Sequence, residues 1–111
     1  MDLQEEIRSK AKAFIALCSS HQVKYLYAFG SSVTDRFDEE KSDIDLLVEI
    51  DAADPVESGE MLMSLWDELE AFFDRKVDLL TESCIRNPFL KKSIDATKVL
   101  VYDGSGEKVL I

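Results

Sequence analysis

Residues 43–50, Asp-Ile-Asp-Leu-Leu-Val-Glu-Ile, constrain the fold more than any other stretch of this chain. Aliphatic and β-branched residues dominate it, which is the composition of a strand. It nevertheless opens with two carboxylates, Asp43 and Asp45. Residues two apart on a strand point to the same face, so these two project together. Their Cβ atoms lie roughly 6–7 Å apart at a rise of about 3.3 Å per residue. Carboxylates that close repel each other when nothing neutralises them. Mg²⁺ removes that repulsion, because it prefers one or two carboxylates together with phosphate oxygens and water.

A second apolar run, Tyr25 to Phe29, reads as a buried strand that ends at Gly30. Glycine lets the backbone turn sharply and approach a ligand closely. Ser31 and Ser32 add hydroxyls, and backbone N–H groups at such a turn suit a phosphate. A Gly-Ser or an Asp-x-Asp alone says little. One closing a strand and the other opening the next reinforce each other.

Gly30-Ser31, then eleven residues, then Asp43-Ile44-Asp45-Leu46-Leu47-Val48 resembles the signature of the polymerase β-type nucleotidyltransferase superfamily. The size resembles its minimal branch, the stand-alone MNT proteins. Lys76-Val77-Asp78-Leu79-Leu80 is similar to the later strand on which that family carries a third acid, matching Asp78. Lys98-Val99-Leu100-Val101-Tyr102 is similar to its closing strand. The resemblance implies nucleotidyl transfer from a nucleoside triphosphate, ATP on family grounds, to a hydroxyl. It implies two Mg²⁺ ions on Asp43, Asp45 and Asp78, which are also the catalytic acids. It assigns nucleotide binding to Gly30, Ser31 and Ser32. Members of this branch often pair with a helical HEPN toxin and act as its antitoxin by attaching AMP, so a HEPN-type partner is the expectation. Two features depart from the pattern. Ser32, Val33 and Thr34 stand where members often carry arginine, the first arginine after Gly30-Ser31 being Arg36, and the linker before Asp43 is slightly longer.

The 111 residues suffice for one hydrophobic core, so one domain is expected, and the resemblance implies that residues 1–111 are a single minimal nucleotidyltransferase domain. The expected fold is α/β (α+β), a mixed sheet of about four strands with helices packed mainly on one face. No apolar run approaches the roughly 20 residues that cross a bilayer. The N-terminal residues lack the basic-then-apolar order of a signal peptide, so a cytoplasmic location is expected. A net charge of −10 repels nucleic-acid backbones and anionic membranes. A protein hydroxyl or a small molecule is therefore a better acceptor than a polynucleotide. Cys18 and Cys84 have no Cys/His cluster around them, which argues against zinc. Cys18 falls on an apolar helix face and reads as a buried thiol.

In chain order, residues 2–20 read as one helix with Leu3, Ile7, Ala11, Phe14, Ile15 and Cys18 in its apolar stripe. His21 reads as a solvated loop residue, since catalysis would require it to reach Asp43. Tyr25 and Tyr27 read as strand packing rather than base-stacking platforms. Arg36 is a candidate phosphate contact or a local ion-pair partner. Asp54, Pro55 and Glu57 look like the cap, first residue and capping-box partner of a helix running to about Asp74. Leu62, Leu65, Trp66, Leu69, Phe72 and Phe73 form its buried stripe. Asp78 either shares a metal with Asp43 and Asp45 or lies on the open face of an edge strand. Asn87-Pro88 marks a turn or helix start, with Phe89, Leu90 and Ile94 able to pack inward. Lys108 to Ile111 is a frayed tail or a short added strand.

Two rivals to the enzyme reading remain. One is a non-catalytic binding module that neutralises a partner protein by masking it. The weaker one is an antibiotic nucleotidyltransferase, which would typically add a recognition domain.

Overall fold

The structure is a computed structural model that describes residues 3–30, 43–106 and 108–109. The described elements run α1 (Leu3–Ser9), α2 (Ala11–Ser20), β1 (Val23–Phe29), β2 (Ile44–Ile50), α3 (Pro55–Phe73), β3 (Val77–Leu80), α4 (Pro88–Thr97), β4 (Val99–Asp103) and β5 (Lys108–Val109). A 3-10 turn, Glu82–Cys84, separates β3 from α4.

The five strands form one sheet in the order β3-β2-β1-β4-β5. β2 and β3 are parallel, joined by the α3 crossover, and the other neighbours are antiparallel. The chain is thus α/β with a mixed sheet. The fifth strand is the tail, where Val109 pairs with Tyr102.

Alternation along the strands decides which face is packed. Leu26 and Ala28 of β1 and Ile44, Leu46 and Val48 of β2 point into the main core with Leu65, Leu69, Phe73, Val77 and Leu79. Phe14 joins the same core, its ring 5.4 Å from that of Phe72 and 6.5 Å from that of Tyr102. Helices α1 to α3 therefore cover one face. On the opposite face a smaller cluster of Phe29, Leu47 and Ile94 seats α4.

The expected single helix over residues 2–20 is two. Lys10 leaves helical geometry at φ −124°, ψ 37°. Ser9 donates its hydroxyl to the Glu6 carbonyl at 3.0 Å, a side-chain bond of the kind that competes with the helix ladder. The buried stripe survives the break, with Leu3, Ile7, Phe14 and Cys18 inside.

α3 starts at the expected cap and first residue, Asp54 and Pro55. The Asp54 carboxylate accepts from the Val56 N–H at 2.9 Å, and Pro55 occupies the first turn. α4 starts the same way, Asn87 accepting from Phe89 N–H at 2.9 Å. Its side chains differ from expectation. Ile94 is buried, but Phe89 is 83% exposed and Leu90 is exposed as well. The helix needs only one anchor to seat against Phe29 and Leu47, and its first turn stands clear of them.

Candidate functional site: three carboxylates beside a glycine turn

The sheet register places the acids. Phe29 of β1 pairs with Asp45 of β2, and Asp45 pairs with Asp78 of β3. Neighbouring residues in register point to the same side of a sheet, so Asp45 and Asp78 share a face. That face is opposite the main core, because the alternate residues Ile44 and Leu46 are fully buried. A one-residue slip of β2 would put Asp45 into the apolar interior and Leu46 outside, so core packing holds the acid where it is. Asp43 lies just before β2 and is exposed.

Side chains of α3 hold β3 in this register. The Trp66 indole N–H donates to the Val77 carbonyl at 2.6 Å, and the Val77 N–H donates to a Glu70 carboxylate oxygen at 3.0 Å. β3 is an edge strand, and these two bonds engage both backbone groups of the residue before Asp78. Trp66 is thus packed against the core and tied to the strand as well. Glu70 carries no motif signal. Its role was visible only as an acid seven residues before Val77, which is too common a spacing to read.

The electrostatics are those of a crowded acid group. Asp45 is half-buried and its carboxyl is pushed up to about 6, first by burial and then by the neighbouring charges of Asp78 and Asp43. Lys76 approaches Asp43, its ammonium 3.9 Å from a carboxylate oxygen. Gly30 adopts φ +64°, and a Cβ there would come within 2.8 Å of Asp45 Oδ2. Only glycine lets the turn lie directly against that carboxylate.

The donors suit a hard divalent cation. They are carboxylate oxygens, and the crowding that raises Asp45 is what a cation relieves. Among the described residues, however, no three His, Cys, Asp or Glu side chains already converge as a metal-binding group. Of the expected site residues, Gly30, Asp43, Asp45 and Asp78 lie together at one end of the β1-β2-β3 block. Ser31, Ser32 and the candidate Arg36 lie outside the described residues.

His21 is not solvated, contrary to its reading as a loop residue. It is 7% exposed, with Nδ1 2.8 Å from the Leu17 carbonyl and Nε2 2.9 Å from Ser64 Oγ. It ends α2 and ties it to α3, which satisfies a ring that the short connection would otherwise bury unpaired. It precedes β1, so most of that strand, about 20 Å, separates it from the row of acids. Cys18 is a buried free thiol, pushed up to about 12 by desolvation. Among the described residues no helix is long and apolar enough to cross a membrane.

Asp45 and Asp78 thus meet on neighbouring strands beside the Gly30 turn. The chain belongs to the nucleotidyltransferase domain family, whose family model matches residues 10–101. A Methanocaldococcus jannaschii protein named "putative protein adenylyltransferase" is 36% identical over 100 residues, spanning 90% of this chain and 95% of that protein. A solved structure described as a "putative minimal nucleotidyltransferase" superposes with a TM-score of 0.62 at 25% identity, covering 89% of this chain and 95% of that one. A Shewanella oneidensis complex of a tri-AMPylated HEPN toxin with MNT antitoxin shares the fold, with a TM-score of 0.50 at 20% identity over 90% of this chain and 75% of that one.

Proposed function

We propose that this chain is a Mg²⁺-dependent nucleotidyltransferase that moves AMP from ATP to a hydroxyl on a protein, and that it serves as the antitoxin to a helical HEPN-type partner. The observation that carries this reading is the register of Asp45 with Asp78 beside the Gly30 turn. Support for adenylyl transfer to protein comes from the name of the archaeal relative. Support for the toxin partner comes from the fold shared with the MNT antitoxin. On this reading residues 1–111 work as one domain in the cytoplasm, and neither nucleic acid nor membrane is bound.

Asp43, Asp45 and Asp78 are the residues that would hold Mg²⁺. Bound there, the ions supply neutralisation of the triphosphate charge and a lowered pKa for the attacking hydroxyl. The Gly30 turn, with Ser31 and Ser32, holds the β- and γ-phosphates through hydroxyls and backbone N–H groups. The acceptor oxygen forms its bond to the α-phosphorus as the bond to the bridging oxygen breaks, and pyrophosphate leaves. Asp78, exposed on the same face as Asp45, takes the acceptor's proton. Most of the rate comes from orientation and preorganised charge, as phosphoryl transfer requires.

The experiment is intact-mass analysis of a co-expressed HEPN-type protein after incubation with the chain, ATP and Mg²⁺. Gain of whole AMP units is the expected result, and no gain counts against it. A second reading, neutralisation by masking alone, draws on Ser32, Val33 and Thr34 standing where arginine is usual. Asp43→Asn with Asp45→Asn separates the two. Neutralisation that survives the double change means masking, whereas its loss with partner binding intact means catalysis.

A further inference from the structure

Val77 lies between two elements that use its neighbourhood differently. The Ile44 N–H donates to the Lys76 carbonyl at 3.1 Å, so Lys76 and Asp78 turn their backbone groups toward β2. Backbone direction alternates along a strand, and Val77 therefore turns its N–H and C=O off the edge of the sheet. β3 ends the strand order, so no further strand takes them. Helix α3 takes both. Trp66 donates to the carbonyl and Glu70 accepts from the N–H. These two residues are four apart, which sets them side by side on the helix. One donor and one acceptor at that spacing give Val77 what an added strand would give it.

The helix itself gains nothing from this arrangement. Glu70 stands in the last turn of α3, which ends at Phe73 and holds no basic residue there. A carboxylate at that end opposes the helix dipole. Its gain lies in the strand it holds, and departures from a local rule of this kind concentrate at functional sites.

The residue that follows is Asp78. The Val77 carbonyl and the Asp78 N–H belong to one planar peptide group. Trp66 grips its oxygen while its N–H faces β2, so the backbone that aims the Asp78 side chain is fixed from both sides. That side chain is exposed, and its place depends on the backbone beneath it. The connection leading in is fastened too, with the Arg75 guanidinium 3.4 Å from a Glu6 carboxylate oxygen of α1.

We propose that Trp66 and Glu70 are positioning residues for the reaction: by clamping Val77 they set where the Asp78 carboxylate stands relative to Asp45. The inference rests on the nucleotidyl-transfer reading above and adds to it two residues that act through Asp78. Catalytic geometry is unforgiving, a misplacement of about 1 Å costing on the order of 10²-fold in rate.

The experiment compares Glu70→Leu, which removes the acceptor, with Glu70→Gln, whose amide oxygen can still take the Val77 N–H. Both are assayed as folded protein, below their melting temperatures. We expect Glu70→Leu to lower kcat for AMP transfer to the HEPN-type protein by about tenfold or more, with KM for ATP unchanged. Glu70→Gln should keep kcat within about threefold of wild type, because the hydrogen bond survives. Mn²⁺ binding in the presence of AMP-PNP, read by electron paramagnetic resonance, should weaken in the Leu variant and not in the Gln variant. Trp66→Phe deletes the other bond and should show the same two losses, so the outcome does not hang on one variant folding. Wild-type kcat and Mn²⁺ affinity in folded Glu70→Leu or Trp66→Phe would make the clamp a stability device alone and overturn the proposal. So would equal losses in the Leu and Gln variants, since charge rather than the bond would then be at work. The Mn²⁺ comparison needs no acceptor, so it decides the matter even where the acceptor is another molecule. A wild-type chain that neither binds Mn²⁺ with AMP-PNP nor transfers AMP would overturn the nucleotidyl-transfer reading and this inference with it.

Discussion

Asp45 and Asp78 face each other in register across the only parallel strand pair among the described residues, 33 positions apart in sequence and adjacent in the sheet. Nothing local to either residue brings them together. The α3 crossover returns the chain in the same direction, and Trp66 and Glu70 then grip Val77 from the outside. Each consequence below follows from that juxtaposition or from what supports it.

Replacing Asp45 by Asn should lower AMP transfer by about 10²-fold or more, the order seen when one preorganised charge-stabilising group is removed. Asp78→Asn should do likewise. Intact-mass rates on the partner protein check both, with circular dichroism confirming that the variants fold.

The raised pKa of Asp45 gives stability a pH dependence of known sign. Its ordinary value is 3.8 and its folded value about 6. Below pH 4 it is protonated whether folded or unfolded and contributes nothing. Between about 4 and 6 the folded chain binds more protons than the unfolded one, so stability falls as pH rises. Above 6 the loss is complete and constant. Melting curves of the metal-free protein should therefore show Asp45→Asn gaining on the wild type from pH 4 to 6, with a steady advantage at pH 8.

Mg²⁺ should reverse that penalty. At pH 8 we expect added Mg²⁺ to raise the Tm of the wild type and EDTA to return it. At pH 5, where protons compete for Asp45, the gain should shrink. An equal Tm response in the Asp43→Asn, Asp45→Asn double variant would remove these acids from the metal site.

Gly30→Ala forces a Cβ into a left-handed backbone position and toward Asp45 Oδ2. The conformational part alone costs about 1–2 kcal/mol. Chemical denaturation should show a loss of at least that size, accompanied by weaker AMP-PNP binding.

Trp66→Phe keeps the packing and deletes the hydrogen bond to the Val77 carbonyl. A loss of about 1 kcal/mol is expected, or somewhat more because a part-buried carbonyl is left without its donor. Hydrogen exchange should speed up in β3 more than in β1. His21→Ala, by contrast, should cost stability at the α2–α3 contact and leave the turnover number of the folded protein unchanged.

Much of this was legible from residue order. Alternation over Tyr25–Phe29 and Asp43–Ile50 marked two strands and the faces of their side chains, because a strand's period of two assigns every second residue to the same side. Pro and Asx caps marked the starts of α3 and α4, since a missing N–H and a capping oxygen act within one turn. The Asp43–Asp45 pair and the Gly30 turn were visible for the same reason, as chemistry confined to a few neighbouring residues. Three features were not. His21 looked like a loop residue, but its ring found Leu17 and Ser64, the second 43 positions away. Phe89 and Leu90 looked like core candidates, yet α4 needed only Ile94. Asp78 was tied to Asp43 and Asp45 by resemblance alone, because its register with Asp45 depends on which strands become neighbours and how they align. Those are outcomes of long-range packing, because a side chain's face follows from its own strand while its neighbours follow from how the whole apolar core closes.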